Sequence, residues 1–230
     1  MKLLAIESSS RTAGVALLDD NGIIGEYSIN YLKHSVILMP MIDELLKRCN
    51  VSVKDITHIA VSEGPGSFTG LRIGAATAKG LAHALNIPVV GVSSLLSLAY
   101  NVSEFDGLIC PILDALNGQV YGMLVRGKDF EVIEKQDVYS IEEISKIVDN
   151  YSDKVLFVGE GVNVYKNIIH EVLGDKALFA KDKDNMARAS SLGELALLKI
   201  KRNEIMSFFE FKPIYIRKSA AEIRFGGEGS

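Results

Sequence analysis

The chain has 230 residues, 48% of them hydrophobic, and a net charge of −4 at neutral pH. That is enough apolar material for one compact unit or two small domains, since domains commonly run to about 100–200 residues. The basic residues are scattered, apart from 199–202 and 217–218, which excludes a self-sufficient nucleic-acid binder. Cys49 and Cys110 each lie inside an apolar pattern and no targeting or membrane-spanning stretch is visible, so a reducing, cytoplasmic setting without disulfides, zinc knuckles or a membrane partner is expected.

Taken in chain order, residues 3–7 and 13–18 predict two strands, and residues 23–30 a third after the hairpin turn Asp20-Asn21-Gly22. A helix is expected over 35–48, with Leu38, Ile42, Leu45, Leu46 and Cys49 on one face and Ile37 and Met41 beside that stripe. Pro40 either kinks this helix or sits at its first position, if the regular helix begins at Met39. A strand at 58–62, a glycine-rich corner, a helix over 69–85, a strand at 88–92 and a helix over 94–100 complete the order βββαβαβα. The second half repeats it. Strands fall at 108–115, 120–126 and 130–138, followed by a helix opened by the capping box Ser140-Ile141-Glu142-Glu143. A strand at 155–159, a helix at 163–173, a short strand at 177–180 and a helix at 189–202 follow.

Three meandering strands followed by helix-connected strands imply a mixed sheet covered by helices on both faces. Two such α/β copies facing a cleft make the actin-like, sugar-kinase-like ASKHA architecture, which is ribonuclease H-like in each half. The expected division is an N-terminal lobe over 1–102, a C-terminal lobe over 103–225 and a flexible tail at 226–230.

The corner from Glu63 to Gly74, EGPGSFTGLRIG, carries the densest signal. Gly64, Pro65 and Gly66 supply a tight turn, and Ser67 and Thr69 are caps for the helix that follows. Such a corner aims backbone N–H groups at an anion, with Arg72 as a clamp in the first turn. It is neither a Walker loop nor a GxGxxG fingerprint. The competing reading is structural: Gly70, Gly74 and Ala78 recur every four residues and admit another backbone closely, while each interior glycine costs about 1 kcal/mol against alanine.

In the two-lobed architecture, the turn after the first strand of each half faces the cleft. Here those turns are Glu7-Ser8-Ser9-Ser10-Arg11-Thr12 and Asp114-Ala115-Leu116-Asn117-Gly118. A carboxylate at each strand end, Glu7 and Asp114, is what a magnesium-nucleotide site needs. The first turn lacks the inner glycine of a phosphate-binding hairpin, so a vestigial nucleotide or anion site is expected, made from Glu7, Ser8, Ser9, Gly64, Gly66, Ser67, Arg72 and Asp114. Gly159-Glu160-Gly161 is either a platform for an adenine or a strand-to-helix turn.

The motifs LLAIESS, HSVILMPMIDELL, VSEGPGSFTGLRIGAATAKGLA, VVGVSSLLSLA, ILDALNGQVY and PIYIR together resemble the TsaB family, also called YeaZ, over nearly the whole chain. The resemblance implies a non-catalytic member of the bacterial machinery that installs threonylcarbamoyl on the adenosine 3′ of the anticodon in tRNAs reading ANN codons. It further implies TsaD as catalytic partner in a heterodimer and TsaE as accompanying ATPase in a ternary complex. It also implies a homodimer when the chain is alone, with tRNA met only through the complex. TsaD-like relatives carry a His-x-x-x-His metal pair where this chain has Ser94 and Leu98; leucine cannot coordinate and serine is a poor ligand, so no metal and no cofactor are expected, and an inherited peptidase label fails the same test. His34, His58, His83 and His170 offer no pair at helical spacing to replace it.

Nucleophile chemistry lacks a partner as well, because Ser67 is not in a GxSxG elbow, so no catalytic residue is expected. The two long helices of the first half remain as the docking surface for TsaD or a second copy, with Leu38, Met41, Ile42, Leu45, Gly70, Gly74, Ala78 and Leu81 as its residues; the alternative is that both stripes are covered within the monomer. The opposing functional hypothesis is an ATP-dependent small-molecule kinase or carbamoyl transferase of the same fold, with Glu7 or Asp114 at the metal.

Overall fold

The computed structural model describes residues 1–30 and 34–217, without the side chains of residues 34 and 35. The tail expected at 226–230 and the side chain of His34 lie outside the described residues. The first half contains β1 (Lys2–Glu7), β2 (Thr12–Asp19), β3 (Gly22–Asn30), α1 (His34–Arg48), β4 (His58–Gly64), α2 (Phe68–Leu85), β5 (Val89–Ser93) and α3 (Ser94–Tyr100). The second contains β6 (Leu108–Asp114), β7 (Val120–Arg126), β8 (Glu131–Tyr139), α4 (Ile141–Val148), β9 (Val155–Val158), α5 (Glu160–Leu173), β10 (Ala177–Phe179) and α6 (Ala189–Lys201). Each expected element is present. Pro40 is interior to α1 and not at its start.

Two five-stranded sheets result, ordered β3-β2-β1-β4-β5 and β8-β7-β6-β9-β10, so the duplication extends to strand order. In each, the first three strands form an antiparallel meander and the last two join in parallel, as short hairpins and helical crossovers respectively require. The register of the central strand explains its sequence. In β1, Leu4 and Ile6 point into one core, with Leu38, Ile42, Ala78 and Ala82 of α1 and α2, whereas Leu3 and Ala5 point into another, with Leu192 and Ala196 of α6. A strand covered on both faces reads as a continuous apolar run.

The helices do not stay with their own halves. Leu95, Leu98 and Ala99 of α3 are buried against Ile109, Leu113 and Val125 of the second sheet, while α6 lies across β1 and β2 of the first. Beyond α6, Met206 pairs with Val89 on β5, the edge strand of the first sheet, and Phe211 enters its core. Of the stretch expected as the C-terminal lobe, 103–225, the part from α6 to Phe211 thus packs on the first sheet. Hydrophobic periodicity shows which face of a helix is apolar, not which sheet will cover it.

Candidate docking face and interlobe cleft

A cleft of 590 Å³ separates the lobes, bordered by Ser10, Arg11 and Ser67 on one side and Asp114, Asn117 and Glu160 on the other. Of the expected members of the vestigial site, Gly66, Ser67 and Asp114 line it; Glu7, Ser8 and Ser9 bond to groups of the fold, although Glu7 Oε2 is buried without a hydrogen-bond partner among the described residues. Glu7 is fully buried. Its Oε1 accepts the Ser9 N–H and the Ser9 hydroxyl, each at 2.6 Å. Burial pushes its carboxyl above the usual carboxylate range, against the pull of those bonds. The Ser8 hydroxyl donates to the Gly70 carbonyl at 3.0 Å, and the Ser8 N–H to Ser62 Oγ at 3.3 Å.

The glycine-rich corner is closed in the same way. The Ser67 N–H donates to the Ser9 carbonyl at 2.6 Å, and Ser67 Oγ caps α2 by accepting the Gly70 N–H at 3.2 Å. Gly64 and Gly66 have φ of +112° and +152°, a region L side chains avoid, and a Cβ on Gly66 would overlap the Ser9 carbonyl. Two of the N–H groups expected to face an anion are thus spent inside the fold. The guanidinium of Arg72, expected as an anion clamp, stacks on Phe68 at 3.9 Å and stands 5.9 Å from the Tyr215 ring, a cation–π arrangement.

On the opposite wall, Asp114 Oδ1 accepts the Leu116 N–H and the Tyr165 hydroxyl, each at 2.9 Å. Burial and the Asp114 hydrogen bond push the Tyr165 phenol up to about 12. The Arg11 N–H donates to Glu160 Oε2 across the lobes at 3.3 Å, and burial raises the Glu160 carboxyl. Gly159 and Gly161 press the start of α5 against the Ile112 backbone, so this segment is a close-packed strand-to-helix turn and not an open platform. Ser94 and Leu98 are both buried, Leu98 against that turn. Among the described residues, no three His, Cys, Asp or Glu side chains converge to hold a metal.

Leu38, Met41, Ile42 and Leu45 are buried in the first lobe's core, and Leu81 packs half-buried against it. Gly70, Gly74 and Ala78 are buried too, and a Cβ on Gly74 would overlap Ser8 Oγ. The reason is local: this small-residue ridge lets α2 approach β1 and the turn after it. The outward face is different. On α1 it presents Val36 (66% exposed) and Met39 (50% exposed). On α2 it presents Ala76, Gly80 and Ala84, again four residues apart, and a Cβ on Gly80 would meet nothing within 4 Å. The helix therefore carries two small ridges, and the buried one is easier to notice in the sequence because it begins in the glycine-rich corner. Tyr215, at the cleft mouth, had no signal beyond its place in the PIYIR motif, and Arg217 had only that and the basic pair 217–218.

The family model for TsaD, tRNA N6-adenosine threonylcarbamoyltransferase, matches residues 22–225. A tRNA threonylcarbamoyladenosine biosynthesis protein TsaB from Bacillus subtilis is 39% identical over 98% of both chains. A Pseudomonas aeruginosa crystal structure of a protein with similarity to peptidase YEAZ superposes with a TM-score of 0.82 at 27% identity, covering 94% of this chain and 99% of that one. The activator of the 2-hydroxyisocaproyl-CoA dehydratase from Clostridium difficile, with bound ADPNP, shares the actin-like fold at a TM-score of 0.55 and 11% identity, covering 94% of this chain and 100% of that one. With its duplicated sheets and near full-length similarity to a curated TsaB, the chain belongs to the TsaB (YeaZ) family of tRNA threonylcarbamoyladenosine biosynthesis proteins.

Proposed function

We propose that this chain is a non-catalytic scaffold that activates a TsaD-type transferase by docking through the outward face of α1 and α2. TsaE joins in the ternary complex, and the product is the threonylcarbamoyl group on the adenosine 3′ of the anticodon in tRNAs reading ANN codons. The observation that carries this reading is a contrast. Most polar groups at the ends of β1 and β4 bond one another, Glu7 Oε2 excepted among the described residues, whereas the Ala76-Gly80-Ala84 ridge of α2, and Val36 and Met39 of α1, are exposed. The match of this chain to the TsaD model supports a partner of like fold, whose own helix pair would complete a four-helix contact; a second copy of this chain offers the same complement when TsaD is absent. The enclosed Glu7 disfavours the kinase or transferase reading, since magnesium needs carboxylate oxygens it can reach. A peptidase role is disfavoured because Ser67, the serine of the glycine-rich corner, is engaged in capping α2.

Gly80→Arg tests the docking face. The new side chain enters open space, so the monomer keeps its fold while the ridge is blocked. Gel filtration with TsaD is expected to show loss of the heterodimer, and reconstituted tRNA modification is expected to fall with it. An undiminished heterodimer would sink the docking assignment, and full-rate modification by TsaD and TsaE without this chain would sink the scaffold.

A further inference from the structure

After Phe211, the chain leaves the first lobe's core and runs along the mouth of the interlobe cleft to the second lobe. It is anchored at its start: the Phe211 ring is buried, and Lys79 Nζ donates to the Phe211 carbonyl at 3.1 Å. The Ile214 N–H then donates to the Glu63 carbonyl at 2.6 Å, and the Ile214 carbonyl passes so close to Gly64 that a Cβ there would stand 2.6 Å from it. The Tyr215 ring packs on Phe68 with centroids 4.5 Å apart. Two residues later the chain grips the other lobe. The Arg217 guanidinium donates to the Ala115 carbonyl and, at 2.5 Å, to Gln119 Oε1 in the turn between β6 and β7. Leu116 and Asn117, with φ of +63° and +56°, fold that turn so that both acceptors face one guanidinium.

We propose that residues 211–217 are a built-in clamp that spans the mouth of the cleft and fixes the angle between the lobes, with Arg217 as its latch. A two-lobed fold closes when something touches both lobes and binds the closed form better than the open one. Here the chain itself does so, and tethering gives the contact a high effective concentration. The clamp stands independently of the docking face and would hold whether or not TsaD binds there.

The test measures the lobe angle. Spin labels on cysteines placed at Lys54 in the first lobe and Asn163 in the second, both exposed, report it in a Cys49→Ser background. Cys110 is buried and its thiol pushed up by burial, so it stays unlabelled. The intact chain is expected to give one narrow distance distribution. Arg217→Ala, and separately a chain ending at Phe211, are expected to add a second population at a longer distance, with circular dichroism reporting that each variant is folded. If the shortened chain fails to fold, Arg217→Ala decides alone. An unchanged, narrow distribution in the folded variants overturns the clamp.

Discussion

At the scale of single residues, Glu7 shows how position and role separate. A carboxylate at the end of a first strand is legible in the sequence, and so are the serines after it. Their orientation is not, because it depends on Gly70 and Ser62 arriving from elsewhere in the chain. Burial raises the Glu7 carboxyl, so the folded chain holds that proton more tightly than the unfolded one. The stability this contributes is fully present below the unfolded carboxylate range and is lost as pH rises through the raised value. Glu63, raised by burial and partly offset by Lys199, and Glu160, raised by burial and partly offset by its Arg11 contacts, act in the same direction. Thermal melts between about pH 4 and pH 8 should therefore show stability declining with pH from this group of carboxyls. Glu7→Gln retains an oxygen for Ser9 and carries no charge, so its decline is expected to be shallower than that of the natural chain. An equal slope would refute the assignment to Glu7.

Among elements, α2 is the informative one, because it sets small residues on opposite sides for different purposes. Gly74 admits the Ser8 side chain, whereas Gly80 faces open space. Gly74→Leu must displace a buried hydroxyl bonded to Gly70, an overpacking expected to cost about 2–3 kcal/mol. Gly80→Ala removes a helix-interior glycine without a new contact and is expected to gain about 0.5–1 kcal/mol. Urea denaturation of both variants checks the contrast; equal effects would mean that the inward and outward faces are wrongly assigned. The strands and helices themselves were readable because their apolar periods are strong and their caps explicit, as at Ser140 and Glu143, which form both halves of the capping box. Which ridge of α2 faces out was not readable. A stripe of Gly and Ala has no polarity to mark its side, and only the packing of α2 on β1 and β4 decides it.

For the molecule as a whole, the exchange of α3 and α6 between lobes matters more than the duplication. Each half carries the helix that covers one face of the other's sheet: α3 buries Leu95 and Leu98 against β6 and β7, and α6 buries Leu192 and Ala196 against β1 and β2. Cutting the chain after Val102, where the sequence alone places a lobe boundary, would leave Leu3, Ala5, Ala16 and Leu18 facing water in the first fragment. A fully buried aliphatic side chain contributes about 1.5–3 kcal/mol relative to exposure, and net domain stability is only about 5–15 kcal/mol. The bare face is therefore enough to unfold the fragment. Residues 1–102 alone, and residues 103–230 alone, are each expected to lack a cooperative thermal transition and the near-ultraviolet tyrosine signal of fixed packing. Expressed together, they regain both, because α3 and α6 are then free to dock on their proper sheets. A cooperative melt of residues 1–102 alone would show that α6 is dispensable to the first lobe. In that case the lobes would be independent domains, each complete without the helix that the other half lends it.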